Sequence, residues 1–300
     1  GNSLPNNNIM SLHTDTYGNV WVGTSQGMVQ WDGSNFNTAT GGSGWNSPNT
    51  FYDLDSDSTT IYAGTNAGVC EWDIATRALG DCWDTQDGMP YNYVRSVAVY
   101  GDIVLGGTWL GVGLINTTSG TVVGTWEAGG TTGNAAIVVI DDIAYVALDG
   151  MGIARYDMNT GNWLDMWMDG AGGLLDTDGI TSMAADRLPN RLWIGGDDGF
   201  QLLDIINETD LYDIEKSSSL FSGNGDPIEI VISGNVLYYI SYYNYGDNVH
   251  RIDLDNLSSL SSLDSGTQAG LSGNSYVYGI GLVNGILNIG VSQWGDGDGA

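Results

Sequence analysis

The feature that most constrains this chain is a dipeptide. A bulky apolar residue followed by Asp or Asn recurs at Trp31-Asp32, Trp72-Asp73, Ile115-Asn116, Tyr156-Asp157, Leu203-Asp204 and Ile252-Asp253. Successive copies are 41, 43, 41, 47 and 49 residues apart. An apolar residue closing a strand, followed by an Asx that can bond the backbone of a turn, marks a fixed point in a repeated unit. A period of this length is that of a four-stranded propeller blade.

The rest of the chain speaks the same language. It has 46 Gly and only 5 Pro, and short Val, Ile, Tyr, Trp and Thr runs are bounded by Gly, Asn and Asp. No segment keeps a helical apolar period over three turns, and the longest apolar run, Ala135 to Ile140, stops at Asp141-Asp142. The expected fold is therefore all-β, a beta-propeller of about seven four-stranded blades with the last one incomplete. As a single domain over 1–300, its blades fall at 4–40, 45–83, 88–126, 132–167, 174–215, 220–263 and, in part, 271–300. Tyr276 to Leu282 and Ile286 to Val291 read as the two strands of that last blade, and an unpaired edge there invites association. The chain is expected to be part of a longer protein.

Blade one shows the grammar in full. Ile9 to Thr14 reads as inner strand a, Val20 to Gly23 as b, Gly27 to Asp32 as c and Phe36 to Thr38 as the outer strand d. A Gly near the end of strand b, Gly23, recurs as Gly64, Gly106 and Gly195, where a missing side chain lets backbones approach. Val146, Tyr239 and Ile289 replace it in other blades.

These residues carry a family resemblance. Leu4-Pro5-Asn6, then Gly18-Asn19-Val20-Trp21-Val22-Gly23-Thr24, Gly27-Met28 and Trp31-Asp32-Gly33, with an echo at Asp87-Gly88-Met89-Pro90, resemble the propeller repeats of two-component regulators. That resemblance implies a propeller from the sensing region of a membrane regulator or from another exported protein. It is specific for fold and weak for function, because such repeats serve many proteins.

Charge narrows the partners. The formal net charge is -29, from 36 acidic and 7 basic residues. Such a surface repels nucleic acid and anionic lipid, and nothing in the sequence inserts into a membrane. Cys70 and Cys82 flank the hairpin turn from Asp73 to Ala78 and are expected to pair as a disulfide, which suits an extracellular or cell-surface protein. Three sequons begin at Asn116, Asn207 and Asn256, all in c-to-d turns and so candidates for glycosylation.

The loops joining d to a and b to c share one face, where function gathers on rigid scaffolds. The repeat places Tyr91, Tyr93, Trp109, Met151, Asp197, Asp198, Tyr242, Tyr243, Tyr245 and Trp294 there. Of these, Tyr91, Trp109, Asp198, Tyr243, Tyr245 and Trp294 are the candidate ligand contacts. Aromatic planes beside carboxylates suit sugars, cations or peptides, although tyrosines at loop bases also cap cores.

Catalytic signatures fail on spacing. The adjacent pair Asp197-Asp198 would point its side chains apart on an extended segment. Gly23-Thr24-Ser25-Gln26-Gly27 matches a hydrolase elbow only literally, since it joins two strands. Asp15, Gly18 and Trp21 imitate the sialidase aspartate box at the wrong spacing. His13 and His250 read as structural. Asp53-Leu54-Asp55-Ser56-Asp57 fails the calcium-loop pattern at Ser58 and Gly64 and reads as an acidic a-to-b turn. No cofactor is expected, with weak calcium binding left open there and at Asp296-Gly297-Asp298.

The function expected is noncatalytic extracellular recognition, or a structural propeller module, binding a carbohydrate, peptide or partner protein through the face just described. Two alternatives stand beside it: a ligand-sensing domain of a membrane two-component regulator, and a polysaccharide-acting hydrolase or lyase. The charge yields a direct expectation. Repulsion among so many carboxylates is screened by ions, so the melting temperature should rise steadily from low salt to molar salt. A flat profile in thermal melts would refute a role for the acidic surface in stability.

Overall fold

A computed structural model describes residues 4–6, 8–39, 48–126, 134–148, 150–168, 173–176, 179–197, 199–215, 227–241, 248–257, 260–263, 275–283 and 286–293. Every regular element among them is a strand. The chain divides into two compact units, residues 1–137 with 281–290, and residues 138–280 with 291–300.

The first unit holds three four-stranded antiparallel sheets, each a simple meander. Blade one is β1 Ile9–Thr14, β2 Val20–Thr24, β3 Gly27–Trp31 and β4 Phe36–Thr38. Blade two is β5 Phe51–Ser56, β6 Thr60–Thr65, β7 Gly68–Asp73 and β8 Leu79–Trp83. Blade three is β9 Val94–Tyr100, β10 Ile103–Thr108, β11 Gly111–Asn116 and β12 Thr121–Trp126. The order within each sheet is the chain order, so each blade runs a, b, c, d as its local turns dictate.

Blade four opens with β13 Asn134–Ile140, followed in the second unit by β14 Ile143–Leu148, β15 Gly152–Asp157 and β16 Trp163–Trp167. Blade five is β17 Ile180–Ala185, β18 Arg191–Gly196, β19 Gly199–Asp204 and β20 Thr209–Glu215. Blade six is β21 Pro227–Ser233, β22 Val236–Ser241, β23 Asn248–Asp253 and β24 Leu260–Leu263. Then β25 Ser275–Val283 and β26 Ile286–Gln293 pair as a two-stranded sheet. There are thus six four-stranded blades among the described residues, and not seven. No c-d hairpin follows that pair among the described residues.

The structure explains that dipeptide. Its apolar half is fully buried at Trp72, Ile115, Leu203 and Ile252, nearly so at Tyr156, and half-buried at Trp31. Its Asx half closes the c-d turn by accepting backbone N–H bonds from two or three residues ahead. Asp32 takes Ser34 and Asn35, Asp73 takes Thr76, Asn116 takes Ser119, and Asp157 takes Asn159 and Thr160. Asp204 takes Ile206 and Asn207, and Asp253 takes Asp255. One residue fills the space between sheets while the next satisfies the turn, which is why the two travel together.

Faces of consecutive blades interlock inside each unit. Trp21 and Met28 of blade one pack with Phe51, Leu54, Ile61 and Trp72 of blade two. Tyr62, Val69 and Trp83 of blade two pack with Val94, Val97, Val104 and Ile115 of blade three. In the second unit Trp193, Phe200 and Leu202 meet Ile230, Leu237, Tyr239 and Ile252. Two arginines add three ion pairs in the second unit, two of them between blades. Arg155 of blade four pairs with its neighbour Asp165 and with Glu208 of blade five, lying over the Trp167 ring. Arg187 of blade five pairs with Asp255 of blade six.

Cys70 and Cys82 stand opposite each other on β7 and β8, with Cα atoms 4.0 Å apart, and are joined as a disulfide. The strand-b glycine also has the expected reason. A Cβ on Gly23 would lie 2.7 Å from Phe51 Cβ, and one on Gly64 would lie 2.8 Å from the Val94 carbonyl oxygen. Both neighbours belong to strand a of the next blade. The hairpin register corrects the assignment in three blades, however. Gly23 and Gly64 immediately precede the Thr that pairs with the first Gly of strand c, and in blade three that place belongs to Gly107, with Gly106 one residue earlier. Two adjacent glycines hide such a shift, and the register resolves it. By the same alignment Ala147 and Ile240, rather than Val146 and Tyr239, occupy the place in blades four and six.

The b-c turns are built by a second device. The hydroxyls of Thr24, Thr65 and Thr108 donate to the carbonyls of Gly27, Gly68 and Gly111. Gly68 has φ +107°, and a Cβ there would collide with the Trp83 carbonyl. The Gly68→Ala variant should therefore lose at least about 2 kcal/mol in denaturant unfolding, combining backbone strain with a clash against main chain. A loss under half of that would show that the turn relaxes freely.

Candidate functional site

The loops expected to share a face do so in the first unit. Thr50, in the segment entering blade two, bonds the Ser25 carbonyl in the b-c turn of blade one, and its own carbonyl accepts the Asn66 N–H in the b-c turn of blade two. Asn66 Oδ1 accepts the N–H groups of Asn49 and Thr50. Gly68 N–H donates to Asn92 O in the segment entering blade three. Entry segments and b-c turns are thus knitted into one end.

At that end the exposed aromatics gather on blade three. Tyr91 and Tyr93 are 38% and 46% exposed and lie stacked, ring centroids 5.7 Å apart at 26°. Trp109 and Leu110 are 51% and 54% exposed at the tip of the b-c turn, next to the Val94–Thr108 pair that follows Tyr93. Asp198, Tyr243, Tyr245 and Trp294 lie outside the described residues, as do Tyr242 and the Asp296-Gly297-Asp298 segment. Met151 sits in the b-c turn of blade four, donating its N–H to Leu148 O. Asp197 donates its N–H to Gly179 O.

Two residues that sequence reasoning missed belong with the tyrosines. Strand a of blades one, two, three, five and six carries a one-residue bulge near its start, leaving Met10, Tyr52, Arg95, Thr181 and Ile228 without a partner position on strand b. A bulge re-aims a side chain that regular alternation would have hidden. In blades two and three these residues are Tyr52 and Arg95, and the Arg95 guanidinium lies over the Tyr52 ring, 5.2 Å from its centroid. Desolvation raises the pKa of the Tyr52 hydroxyl, the Arg95 charge opposes that rise and Tyr93 adds to it, so the three share one electrostatic neighbourhood. A signal was present in the sequence: each bulge residue precedes a recurrent polar residue, Ser11, Asp53, Ser96, Ser182 and Glu229.

Three of those polar residues, Ser11, Asp53 and Glu229, join strand a of one blade to strand a of the next. Ser11 Oγ donates to Phe51 O at 3.0 Å, and His13 Nε2 and Ser56 Oγ are 2.8 Å apart. Val97 N–H donates to Asp53 Oδ2 at 2.8 Å and Val99 N–H to Asp55 Oδ2 at 2.7 Å. Glu229 Oε2 likewise accepts Ile280 N–H. The acidic run is therefore not a turn: Asp53 and Asp55 are on β5, facing blade three, and only Asp57 makes the turn, accepting from Thr59, Thr60 and Tyr62. Desolvation pushes the Asp53 carboxyl up to about 7, against the Val97 hydrogen bond and with help from the Asp55 charge. Burial also raises the pKa of Asp55 and lowers that of His13, the charge of each restraining the other's shift.

Other candidates resolve into scaffold. Trp21 Nε1–H does reach Asp15 Oδ2, at 2.9 Å, although the spacing is not that of the sialidase box. Burial favours the protonated Asp15, but bonds from Asn19, Trp21 and Tyr17 outweigh it and hold its pKa below the usual range. Trp193 and Asp186 repeat the contact in blade five. His250 is buried, stacked on Tyr239 and pushed down to about 4 by desolvation. Asn116, Asn207 and Asn256 all lie in or beside c-d turns. No group of three or more potential metal-ligating side chains occurs among the described residues.

Comparison with known proteins places this geometry. Residues 3–26 match the family described as two component regulator propeller. The extracellular domain assigned to the hybrid two component system BT3049 of B. thetaiotaomicron superimposes with a TM-score of 0.75 at 17% identity, over 98% of this chain and 40% of that one. That assigned to the one component system BT4673 of the same organism gives 0.69 at 17%, over 96% and 38%. The computationally designed Ika8 protein gives 0.64 at 16%, over 94% and 80%. The chain thus spans about two fifths of the two bacterial structures, and the likeness establishes the beta-propeller fold. No curated protein matches it in sequence.

Asp53 supplies a pH test. Its folded pKa lies above the unfolded carboxylate value, so the folded chain holds a proton that the unfolded chain releases from about pH 4 upward. The associated stability is complete below about pH 4 and is lost as pH rises through about 7. Asp53→Asn keeps an acceptor for Val97 N–H without the titration. Its melting temperature relative to the wild type should climb between pH 5 and pH 8, and an unchanged difference across that range would show that Asp53 titrates normally.

Proposed function

We propose that this propeller, whose first blade carries the two component regulator repeat, is a noncatalytic extracellular recognition module of the kind that serves as the sensing part of a membrane regulator. The observation that carries the reading is the gathering of exposed Tyr91, Tyr93 and Trp109 at the end where entry segments and b-c turns are tied together. Large exposed aromatics cost solubility and contribute nothing to the core, so their concentration on a braced loop end supports a binding role. The disulfide and the bacterial extracellular domains of the same fold support an extracellular location. No helix among the described residues is long and apolar enough to cross a membrane.

Eight carboxylates are committed to the scaffold, which supports recognition over hydrolysis. Asp15, Asp32, Asp57, Asp73, Asp157 and Asp204 close turns, while Asp53 and Asp55 cap backbone N–H groups. An acid-base pair needs carboxyl groups free to meet a substrate.

A variant with Tyr91, Tyr93 and Trp109 all changed to Ala tests the reading. Screened beside the wild type against neutral and acidic oligosaccharides and peptides, it should bind the wild type's ligand at least about tenfold more weakly. Its melting temperature should stay close to that of the wild type, because the rings are exposed. Equal binding by the two proteins would overturn the placement of the site.

A further inference from the structure

Arg95 is an unusual residue for this surface. It is one of 7 basic residues against 36 acidic ones, and it is exposed. Ion pairs among the described residues belong to Arg155 and Arg187, and Arg95 meets none of the described carboxylates. It is held instead by the Tyr52 face, on a bulge that turns it out of the regular alternation, beside the stacked Tyr91 and Tyr93. A guanidinium that meets no carboxylate among the described residues, and is braced against a ring, presents a pre-oriented fork to an incoming anion.

From this juxtaposition we infer that the loop end of blades two and three binds a carboxylate-bearing sugar, with Arg95 gripping the carboxylate and the Tyr91–Tyr93 platform covering the pyranose face. This rests on the recognition reading above and names its ligand class. Each part of the site contributes one half of the chemistry. The carboxylate matches the two parallel N–H donors of the guanidinium, and the C–H face of a flat ring packs on an aromatic plane.

Two observations weigh against an edge-pairing peptide and a long polyanion. An extended acidic peptide would gain most by pairing with a free strand edge, but along strand a of blade three Val97 and Val99 N–H are already capped by Asp53 and Asp55. A long polyanion would meet the repulsion of a chain carrying a net charge of -29, whereas a short oligosaccharide with few carboxylates meets little of it.

The experiment is a calorimetric titration of the 300-residue chain with short oligomers of galacturonate, glucuronate and mannuronate, each beside its methyl-esterified form. The esters keep the ring and remove the charge. Wild type should bind at least one acidic oligomer about tenfold or more tightly than its ester, with the preference shrinking as salt rises. Arg95→Gln should abolish the preference while leaving the melting temperature unchanged, and Arg95→Lys, which keeps the charge without the fork, should recover only part of it.

Equal binding of acid and ester, a preference that survives in Arg95→Gln, or no binding of any acidic oligomer at millimolar concentration would overturn the inference. These failures are distinct from failure of the recognition reading. A neutral sugar or a peptide bound by wild type and lost in the Tyr91, Tyr93 and Trp109 triple variant would leave that reading standing while removing the carboxylate.

Discussion

The architecture depends on how the innermost strand of one blade is joined to the innermost strand of the next. A four-stranded sheet ends in an open edge on both sides, and strand a presents its unpaired N–H and C=O groups to a crowded neighbour. Here side chains answer that need. Ser11 donates to the Phe51 carbonyl, and Asp53, Asp55 and Glu229 accept from Val97, Val99 and Ile280. A buried N–H left without a partner costs about 1 to 3 kcal/mol, so these contacts are requirements of the close packing rather than additions to it. The strand-b glycines belong to the same arrangement, because Gly23 and Gly64 leave the room that brings Phe51 and Val94 against them.

Acidity and architecture are therefore less separate than the net charge implies. Carboxylates here work in two settings. Exposed ones, such as Asp32, Asp73 and Asp204, are held charged by the turn N–H and hydroxyl groups they accept, which lowers their pKa values. Enclosed ones at the blade seams are pushed the other way by desolvation. The same side chain is a turn builder in one place and an edge cap in the other, depending on how much water reaches it.

The recognition end grows out of these seams. The bulge that brings Ser11, Asp53 and Ser96 into register displaces the residue before each, and in blades two and three the displaced residues are Tyr52 and Arg95. Entry segments lock onto b-c turns through Thr50, Asn66 and Asn92, which fixes the loops on which Tyr91, Tyr93 and Trp109 stand. A flexible loop would pay ordering entropy on binding, and bracing removes much of that cost.

The sequence by itself determined the blades. The dipeptide period counts out the blades, while the turn residues and the alternating strands are local signals that set blade one almost to the residue and opposed Cys70 to Cys82. It also implied that entry segments and b-c turns share an end, since a meander of even strand number returns them there. What it left undecided depends on register and on neighbours in space. Gly107 rather than Gly106 is fixed by its hairpin partner, and the acidic run became part of a strand because blade three supplies N–H groups to it. Arg95 and Tyr52 lie 43 residues apart and meet because two bulges in adjacent blades turn them toward each other, a contact made by packing and invisible to any local pattern.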